Sequence, residues 1–308
     1  MTALVLRRLL VAIPTMFFVI AAAFFMMRAA QGGPFDSQRQ LPPEIEQRVK
    51  AAYDLDKPVV QQFGIYIGKI LTGDLGPSLK YKDKSVADII GEGLPTSAVI
   101  GLAAMVVALA LGVALGVGAG LRQNRRQDYM VMGLALIGVC VPPLVMGPLL
   151  SLIFGVQLGW LPTSGLSRDQ YSFRHLLLPV ITLALPQIAI ISRLMRASMI
   201  EAMTSNAVRT ARAKGLPERE VVWRHALPVA ILPIVSYLGP AIAGVLTGSF
   251  VIESVFQLPG LGRQFITGAL TRDYTLVMGV VILYAALIML LNLVADLLYR
   301  ALDPRVRT

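Results

Sequence analysis

TSAVIGLAAMVVALALGVALGVGAGL, residues 96–121, is a continuous stretch without a charged side chain. An α-helix rises about 1.5 Å per residue, so about 20 apolar residues cross the roughly 30 Å hydrocarbon core of a bilayer. The stretch is therefore predicted to be a membrane-spanning helix. The composition agrees, because 56% of the 308 residues are hydrophobic and only 15% are charged, unlike ordinary soluble domains.

Five further apolar runs are also long enough to be predicted as membrane-spanning helices. The six predicted spans are residues 9–27, 96–121, 129–155, 176–192, 229–252 and 275–298. Arg7 and Arg8 precede the first run, as in a secretory signal peptide, but the run is longer than a signal peptide's apolar region and favours an uncleaved anchor. The chain is thus predicted to be an all-α integral membrane protein with six transmembrane helices.

Prolines interrupt three of the predicted spans. Proline removes a backbone hydrogen-bond donor, so a helix that contains one is expected to bend. The prolines expected to kink the third, fourth and fifth spans are Pro142, Pro143, Pro148, Pro179, Pro186, Pro233 and Pro240.

The distribution of charge predicts how the chain is oriented in the membrane. Short cytoplasmic loops retain Lys and Arg. Both termini, together with loops 122–128 and 193–225, carry nearly all of the net charge of +10, whereas the loops on the other side are almost neutral. Both termini are therefore expected in the cytoplasm.

Residues 31–94 form the one long polar region, which divides the chain into an anchor (1–30), this outer region and a core (95–308). Apolar residues at helical spacing predict two short helices in it. The first pattern is Ile45, Val49 and Tyr53; the second, after Pro58, is Val59, Phe63, Tyr66, Ile67 and Ile70. These helices either cap the outer ends of the spans or form a docking or gating surface.

Small residues repeat every four positions in the second span. They are Ala104, Ala108, Gly112, Gly116 and Gly120. Such a ridge lets a second helix approach closely. The sequence does not say whether that helix belongs to this chain.

No sequence feature supplies energy or catalysis. A phosphate-binding GxxxxGK[ST] loop does not occur in the sequence, no metal-ligand cluster or catalytic triad is recognisable, and no ionisable residue lies deep in a span. The chain is therefore predicted not to be an enzyme, and an energy source for transport would have to be a partner protein.

Residues 205–228 form a basic loop that contains residues typical of the starts and ends of helices, and we call this loop the elbow. From residue 208 its sequence is VRTARAKGLPEREVVWRHALP. Ser205 or Asn206 can cap a helix over 207–214, and Gly215 suits the left-handed residue that ends it. Pro217 and the acidic residues after it suit the start of a second helix. A basic loop that only sets topology is the alternative, while DNA binding is disfavoured because both ends are tethered to spans.

The elbow resembles the cytoplasmic motif of permease subunits in binding-protein-dependent ABC importers: EAA, three residues, G, nine residues, then I-x-LP. Arg209, Thr210 and Ala211 occupy the EAA place, and His225 through Pro228 occupy the I-x-LP place. Arg209 for Glu and His225 for Ile depart from the general motif. RTARAKGL followed by RHAL is similar to the version in dipeptide and oligopeptide permeases.

The resemblance to the peptide permeases extends along the chain. It includes RRLLVAIPT, YDLDKPVVQQFGIYIGKILTGDLGPSL, the second span and SFVIESVFQLPGLGRQFITGALTRDY. It implies a type I ABC importer permease fold with a small helical outer insertion, in the bacterial inner membrane. It also implies a second permease subunit, two ATPase subunits that bind ATP and Mg, and an external solute-binding protein, with no cofactor in this chain.

The resemblance also implies which residues act. The residues expected to contact an ATPase are Arg209, Thr210, Ala211, Lys214, Gly215, Leu216, His225, Leu227 and Pro228. Candidates for the translocation path are Tyr237, Gly244, Thr247 and Ser249, which could instead face a neighbouring helix. Candidates for an outer gate are Glu253, Phe256, Pro259, Gly260 and Gly262, whose alternative role is an ordered turn.

The expected cargo is a dipeptide, an oligopeptide or a similar small solute, carried by alternating access. Nickel or glutathione are the alternatives within the same family. A secondary transporter or channel that needs no ATPase, and a membrane scaffold, are the alternatives from other classes.

Overall fold

The computed structural model describes residues 2–29, 56–81, 83–166 and 172–302, and the regular elements in these ranges are helices. In chain order these are α1 (Thr2–Ala29), α2 (Val59–Leu71), α3 (Val86–Leu121), α4 (Arg126–Cys140), α5 (Pro143–Leu150), α6 (Phe173–Met203), α7 (Asn206–Ala213), α8 (Glu218–Glu220), α9 (Leu227–Ala230), α10 (Leu232–Val255), α11 (Leu261–Thr271) and α12 (Tyr274–Leu302). π-Helical segments follow α5 (Ser151–Gln157) and join α8 to α9 (Val221–Ala226). The helix predicted over Ile45, Val49 and Tyr53 lies outside the described residues.

Five helices are long and apolar enough to cross a membrane, namely α1, α3, α6, α10 and α12. They confirm five of the six predicted spans. The predicted fourth span, 176–192, is part of the much longer helix α6. Helix α3 continues unbroken across residues 94 and 95, where the sequence suggested a domain boundary.

The third predicted span is two helices and not one kinked helix. α4 and the segment Pro143–Gln157 are bent by 103° relative to each other, so a sixth span exists only if this bent pair counts as one. Val141, between them, has an extended backbone (φ −87°, ψ 116°). A residue before proline is driven out of the helical region, and here two prolines follow in succession.

The other prolines have different effects. Pro233 lies in the first turn of α10, which begins directly after Ile231, where the helix is interrupted between α9 and α10; the missing N–H of Pro233 leaves one bond out of the ladder there. Pro179, Pro186 and Pro240 lie inside α6 and α10, and both helices continue past them.

The helices divide into two compact units. One contains Ser97–Leu258 and Ile288–Thr308, and the other contains Thr2–Thr96 and Pro259–Leu287. In the first unit, α3 packs along α6 through the predicted small-residue ridge. A Cβ atom at Gly116 would lie 2.6 Å from the backbone oxygen of Ser192, and Cβ atoms at Gly112 and Gly120 would come within 2.8 Å of α6 side chains. The ridge prediction is confirmed, and the helix it admits belongs to this chain.

In the second unit, α2 packs its apolar face against α1. Phe63, Tyr66 and the isoleucines of α2 surround Phe24. The ring centroids of Phe24 and Phe63 are 5.3 Å apart, and the Tyr66 ring stacks on Phe24 at 5.9 Å. The helix predicted after Pro58 is confirmed, and its apolar stripe is occupied by contacts within the chain.

Candidate functional site

The first half of the elbow has the predicted caps. The Ser205 hydroxyl accepts a hydrogen bond from the Val208 N–H (3.4 Å) at the start of α7. Gly215 has φ +76°, and its N–H donates to the Arg212 carbonyl (2.9 Å) while Leu216 N–H donates to the Ala211 carbonyl (3.3 Å). This pair of bonds is the Schellman ending that a glycine in the left-handed conformation allows.

The second half of the elbow differs in detail from the prediction. Pro217 precedes α8 as its N-cap and does not lie in its first turn. The helix then continues through the π-helical segment Val221–Ala226 into α9, which contains Pro228.

The elbow is held rigidly in its own unit. Val208, Ala211, Val221 and Ala226 are buried in the hydrophobic core. Arg212 pairs with Glu218 across the Gly215 turn, with Nε and Oε1 2.7 Å apart. Exposed ion pairs stabilise little, but this one joins α7 to α8 at the point where the chain turns. The elbow can therefore move as one body.

Five of the predicted ATPase-contact residues lie together on a surface depression of about 420 Å³. They are Thr210, Ala211, Lys214, Leu216 and His225, and Asn206 and Ala207 complete the lining. Ala211 is only 3% exposed, so it forms the floor of the depression. Arg209 and Gly215 are exposed beside it, and a Cβ atom at Gly215 would meet nothing within 4 Å. Leu227 is half-buried and Pro228 exposed, both outside the depression.

An ion pair between a buried carboxylate and a partly buried guanidinium holds the helix that leads into the elbow. Arg196, in the last third of α6, donates through Nε to Asp128 Oδ1 (2.5 Å) and through Nη2 to Oδ2 (2.7 Å). Asp128 is 1% exposed and also accepts from the Asn124 N–H (2.9 Å). Planar two-point pairing fixes orientation as well as distance. In the sequence alone, Asp128 and Arg196 are only two of the loop charges that predict the orientation of the chain.

Replacing Asp128 with asparagine is expected to lower the free energy of unfolding by roughly 3 kcal/mol, because a partly buried guanidinium loses its counter-charge. The same change is expected to lower transport, since the end of α6 is no longer held. Thermal unfolding in detergent and solute uptake by cells would measure the two effects. Arg193→Gln is the matched control, because Arg193 is an exposed cation on the same helix. Equal unfolding midpoints for the two variants would contradict the structural role of the pair.

Three of the four translocation-path candidates share one stripe of α10. Tyr237, Gly244 and Thr247 recur at helical spacing with Pro240 and Val251, and none of these five is buried. Tyr237 Oη donates to Gln187 Oε1 on α6 (2.9 Å). Gln187 could not be predicted, because a lone amide in an apolar run gives no periodic signal in the sequence.

Ser249 does not belong to that stripe. Its side chain is fully buried, and its hydroxyl donates to the Leu246 carbonyl (2.7 Å) within α10. Thr247 also bonds to its own helix, through the Ala243 carbonyl (3.0 Å). The structure thus places Ser249 in the packing of α10.

The predicted outer-gate residues lie in different environments. Glu253 was expected just outside the fifth span, but it lies in the last turn of α10, fully buried, and accepts a hydrogen bond from Ser97 Oγ (2.6 Å). Phe256 is also buried, and its carbonyl accepts from the Gly165 N–H (2.8 Å). These contacts tie α10 to α3 and to the loop after α5.

The remaining gate candidates belong to the other unit. Pro259 precedes Gly260, the N-cap of α11, and Gly262 is buried in its first turn. A Cβ atom at Gly93 would lie 3.0 Å from the Leu261 nitrogen, so α3 and α11 approach closely here. Within the part of the chain that the structure describes, no three His, Cys, Asp or Glu side chains are grouped to hold a metal ion.

Comparison with known proteins gives both a family and near full-length relatives. The model of the binding-protein-dependent transport system inner membrane component matches residues 112–308. The oligopeptide transport system permease protein OppB of Salmonella typhimurium is 48% identical over 303 residues, covering 98% of each chain. The dipeptide transport system permease protein DppB of Bacillus subtilis is 36% identical, covering 95% of this chain and 94% of that protein.

Two solved structures share the fold at low sequence identity. The inward-facing MetNI methionine ABC transporter matches with a TM-score of 0.53 and 19% identity, over 71% of this chain and 96% of that one. An amino acid ABC transporter crystallised with histidines matches with a TM-score of 0.52 and 20% identity, over 71% and 94%. The fold, the family model and the near full-length relatives together show that the chain belongs to the family of inner-membrane components of binding-protein-dependent transport systems.

Proposed function

We propose that this chain is the permease subunit of an ATP-driven importer for oligopeptides or dipeptides. The observation that carries the proposal is the 48% identity with an oligopeptide permease over 98% of both chains. A close relative of that kind makes the peptide class a better-supported cargo than nickel or glutathione. The external solute-binding protein delivers the peptide, and alternating access moves it across the inner membrane.

The elbow is the surface that contacts an ATPase and transmits the movement of that ATPase to this chain. As a coupling helix it lies in a groove on the ATPase, and Lys214, His225 and apolar Leu216 around the short side chain of Ala211 make the contact. The buried core contacts of α7 and the Arg212–Glu218 pair keep the elbow rigid, so a displacement there passes into α6 and α10. ATP and Mg bind to the two ATPase subunits, and this chain holds no cofactor.

The Asp128–Arg196 pair has a place in this mechanism. It fixes α6 two turns before the elbow, so a push on α7 reaches the α4 segment as well as α10. In this arrangement both termini are in the cytoplasm on the side of the elbow, and the region 31–94 faces the external binding protein.

A second, homologous permease subunit completes the pathway. The stripe of Tyr237, Gly244 and Thr247 on α10 is only partly covered by the described part of this chain, and it supplies one wall. The Tyr237 hydroxyl and the Gln187 amide offer the polar groups that a peptide backbone can bond to as it passes.

Copurification with transport assays tests the function. We expect this chain, isolated from native membranes, to carry a second permease and ATPase subunits identifiable by mass spectrometry. Uptake of a labelled oligopeptide is expected to require both this chain and ATP hydrolysis by the partner. Uptake that continues when the partner ATPase is inactivated would overturn the proposal, because the chain would then be a secondary transporter or channel.

A further inference from the structure

The second unit contains a cavity of about 120 Å³ at the C-terminal end of α1, where α2 packs beside it. Its polar lining comprises Arg28 of α1, Gln62, Tyr66 and Lys69 of α2, and Asp74 just after α2. Phe24 contributes to its apolar wall. The first unit contributes nothing to this lining.

Arg28 is an unusual residue for such a place. Its guanidinium lies over the ring of Phe24, 5.3 Å from the centroid, and 5.8 Å from the centroid of Tyr274. Within residues 2–29, 56–81, 83–166 and 172–302, no carboxylate lies within ion-pair distance of it. Arg28 is half-buried, and a cation in such a place, with no carboxylate of the described residues at ion-pair distance, attracts an anion.

Tyr66 supplies an unused donor in the same cavity. Its hydroxyl oxygen is buried and has no hydrogen-bond partner. A buried polar atom without a partner costs free energy, so such atoms are rare unless a ligand or water completes them. Burial also raises the pKa of Tyr66, which keeps the phenol protonated and able to donate at neutral pH.

The charges in the lining select the kind of anion. Arg28 and Lys69 are positive and Asp74 is negative, and Asp74 Oδ1 already accepts from the Gly76 N–H (2.8 Å). Among the described residues that line the cavity, one positive charge is therefore in excess. A phosphodiester carries one negative charge and balances the site, whereas free phosphate near neutral pH carries between one and two.

The surroundings favour a lipid as the source of the phosphodiester. α1 is long and apolar enough to cross the bilayer, and Arg28 lies at its end, where headgroups are found. Large apolar side chains on α1 remain exposed, including Phe18 (70%) and Met26 (72%). Acyl chains can cover this surface while the headgroup enters the cavity.

We propose that the cavity between α1 and α2 binds the phosphodiester of a membrane phospholipid, with Arg28 as its ion partner and Tyr66 Oη as a hydrogen-bond donor. The bound lipid fastens α2 to the C-terminal end of α1. The site is in the outer leaflet in the orientation proposed above.

Lipid titration by native mass spectrometry tests the site. Dioleoylphosphatidylglycerol would be added to the delipidated complex that contains this chain, and the bound adducts counted for wild type and variants. Arg28→Gln and Tyr66→Phe are each expected to weaken the tightest adduct about tenfold, the effect of losing one hydrogen bond to a charged group. Tyr66→Phe keeps the aromatic ring, so lipid binding by this variant can be measured even if Arg28→Gln folds poorly.

Arg7→Gln is the matched control, because Arg7 is an exposed cation at the opposite end of the same helix. It is expected to bind the tightest lipid as wild type does. Wild-type affinity in Tyr66→Phe and Arg28→Gln, or no tight adduct in wild type, would overturn the proposal. Displacement of the lipid by millimolar inorganic phosphate would also overturn it, because the site would then hold a free anion.

Discussion

Transport and assembly are both expected to be lost when Gly116 is replaced by leucine. The Cβ atom alone would lie 2.6 Å from the Ser192 backbone oxygen and from the Met195 side chain, and neither the helix backbone nor a Cβ can move aside. Two helices that pack in register would have to separate, at a cost above about 3 kcal/mol. Size-exclusion chromatography in detergent and peptide uptake would measure the loss.

Gly118→Leu is the control for this experiment. Gly118 lies on the same helix two residues away, and a Cβ there would meet nothing within 4 Å. Both variants replace a glycine of the same span with leucine, so they differ only in whether the new side chain points at α6. Equal assembly of the two variants would show that the α3–α6 contact is not as close as the structure has it.

Gly215→Val is expected to reduce peptide uptake at least tenfold while membrane insertion and copurification of this chain remain detectable. A residue other than glycine in the left-handed conformation costs about 1 to 2 kcal/mol, and a β-branched side chain costs more. The strain acts on the turn that joins α7 to α8. The turn is where the elbow presents its depression, so coupling to the ATPase is expected to fail before folding does.

Gly215→Asn separates two reasons for the effect. Asparagine tolerates the left-handed conformation, so uptake restored in this variant would assign the loss to backbone strain. Uptake that is still lost would assign it to close approach of a partner, because a Cβ at Gly215 is free of contacts within this chain. Normal uptake in Gly215→Val would remove the elbow from the coupling mechanism.

The features that the sequence predicted correctly are local or periodic. The small residues of α3 repeat every four positions, and side chains of α6 that recur at the same spacing pack against them. The cap at Ser205 and the left-handed Gly215 depend on a few neighbouring residues. A single sequence is enough to recognise such signals, because each of them goes with nearly the same backbone geometry wherever it occurs.

The features that the sequence did not predict depend on residues far apart in the chain. Asp128 and Arg196 form a pair only because α4 and α6 are neighbours. Glu253 is buried because Ser97 lies opposite it on another helix. A charge near the end of a predicted span looks solvated until the partner helix is placed, so burial of this kind requires the tertiary fold.

The bend after α4 has a consequence for how the chain enters the membrane. α4 has 15 residues, about 22 Å of helix, which is shorter than the roughly 30 Å hydrocarbon core. Neither arm of the bent pair can therefore be held in lipid by its own length. α6, which supplies a close contact through the Leu185 carbonyl to Gly138, is synthesised only afterwards. We therefore expect the bent pair to be held in the membrane by its contact with α6, and only after α6 has been made.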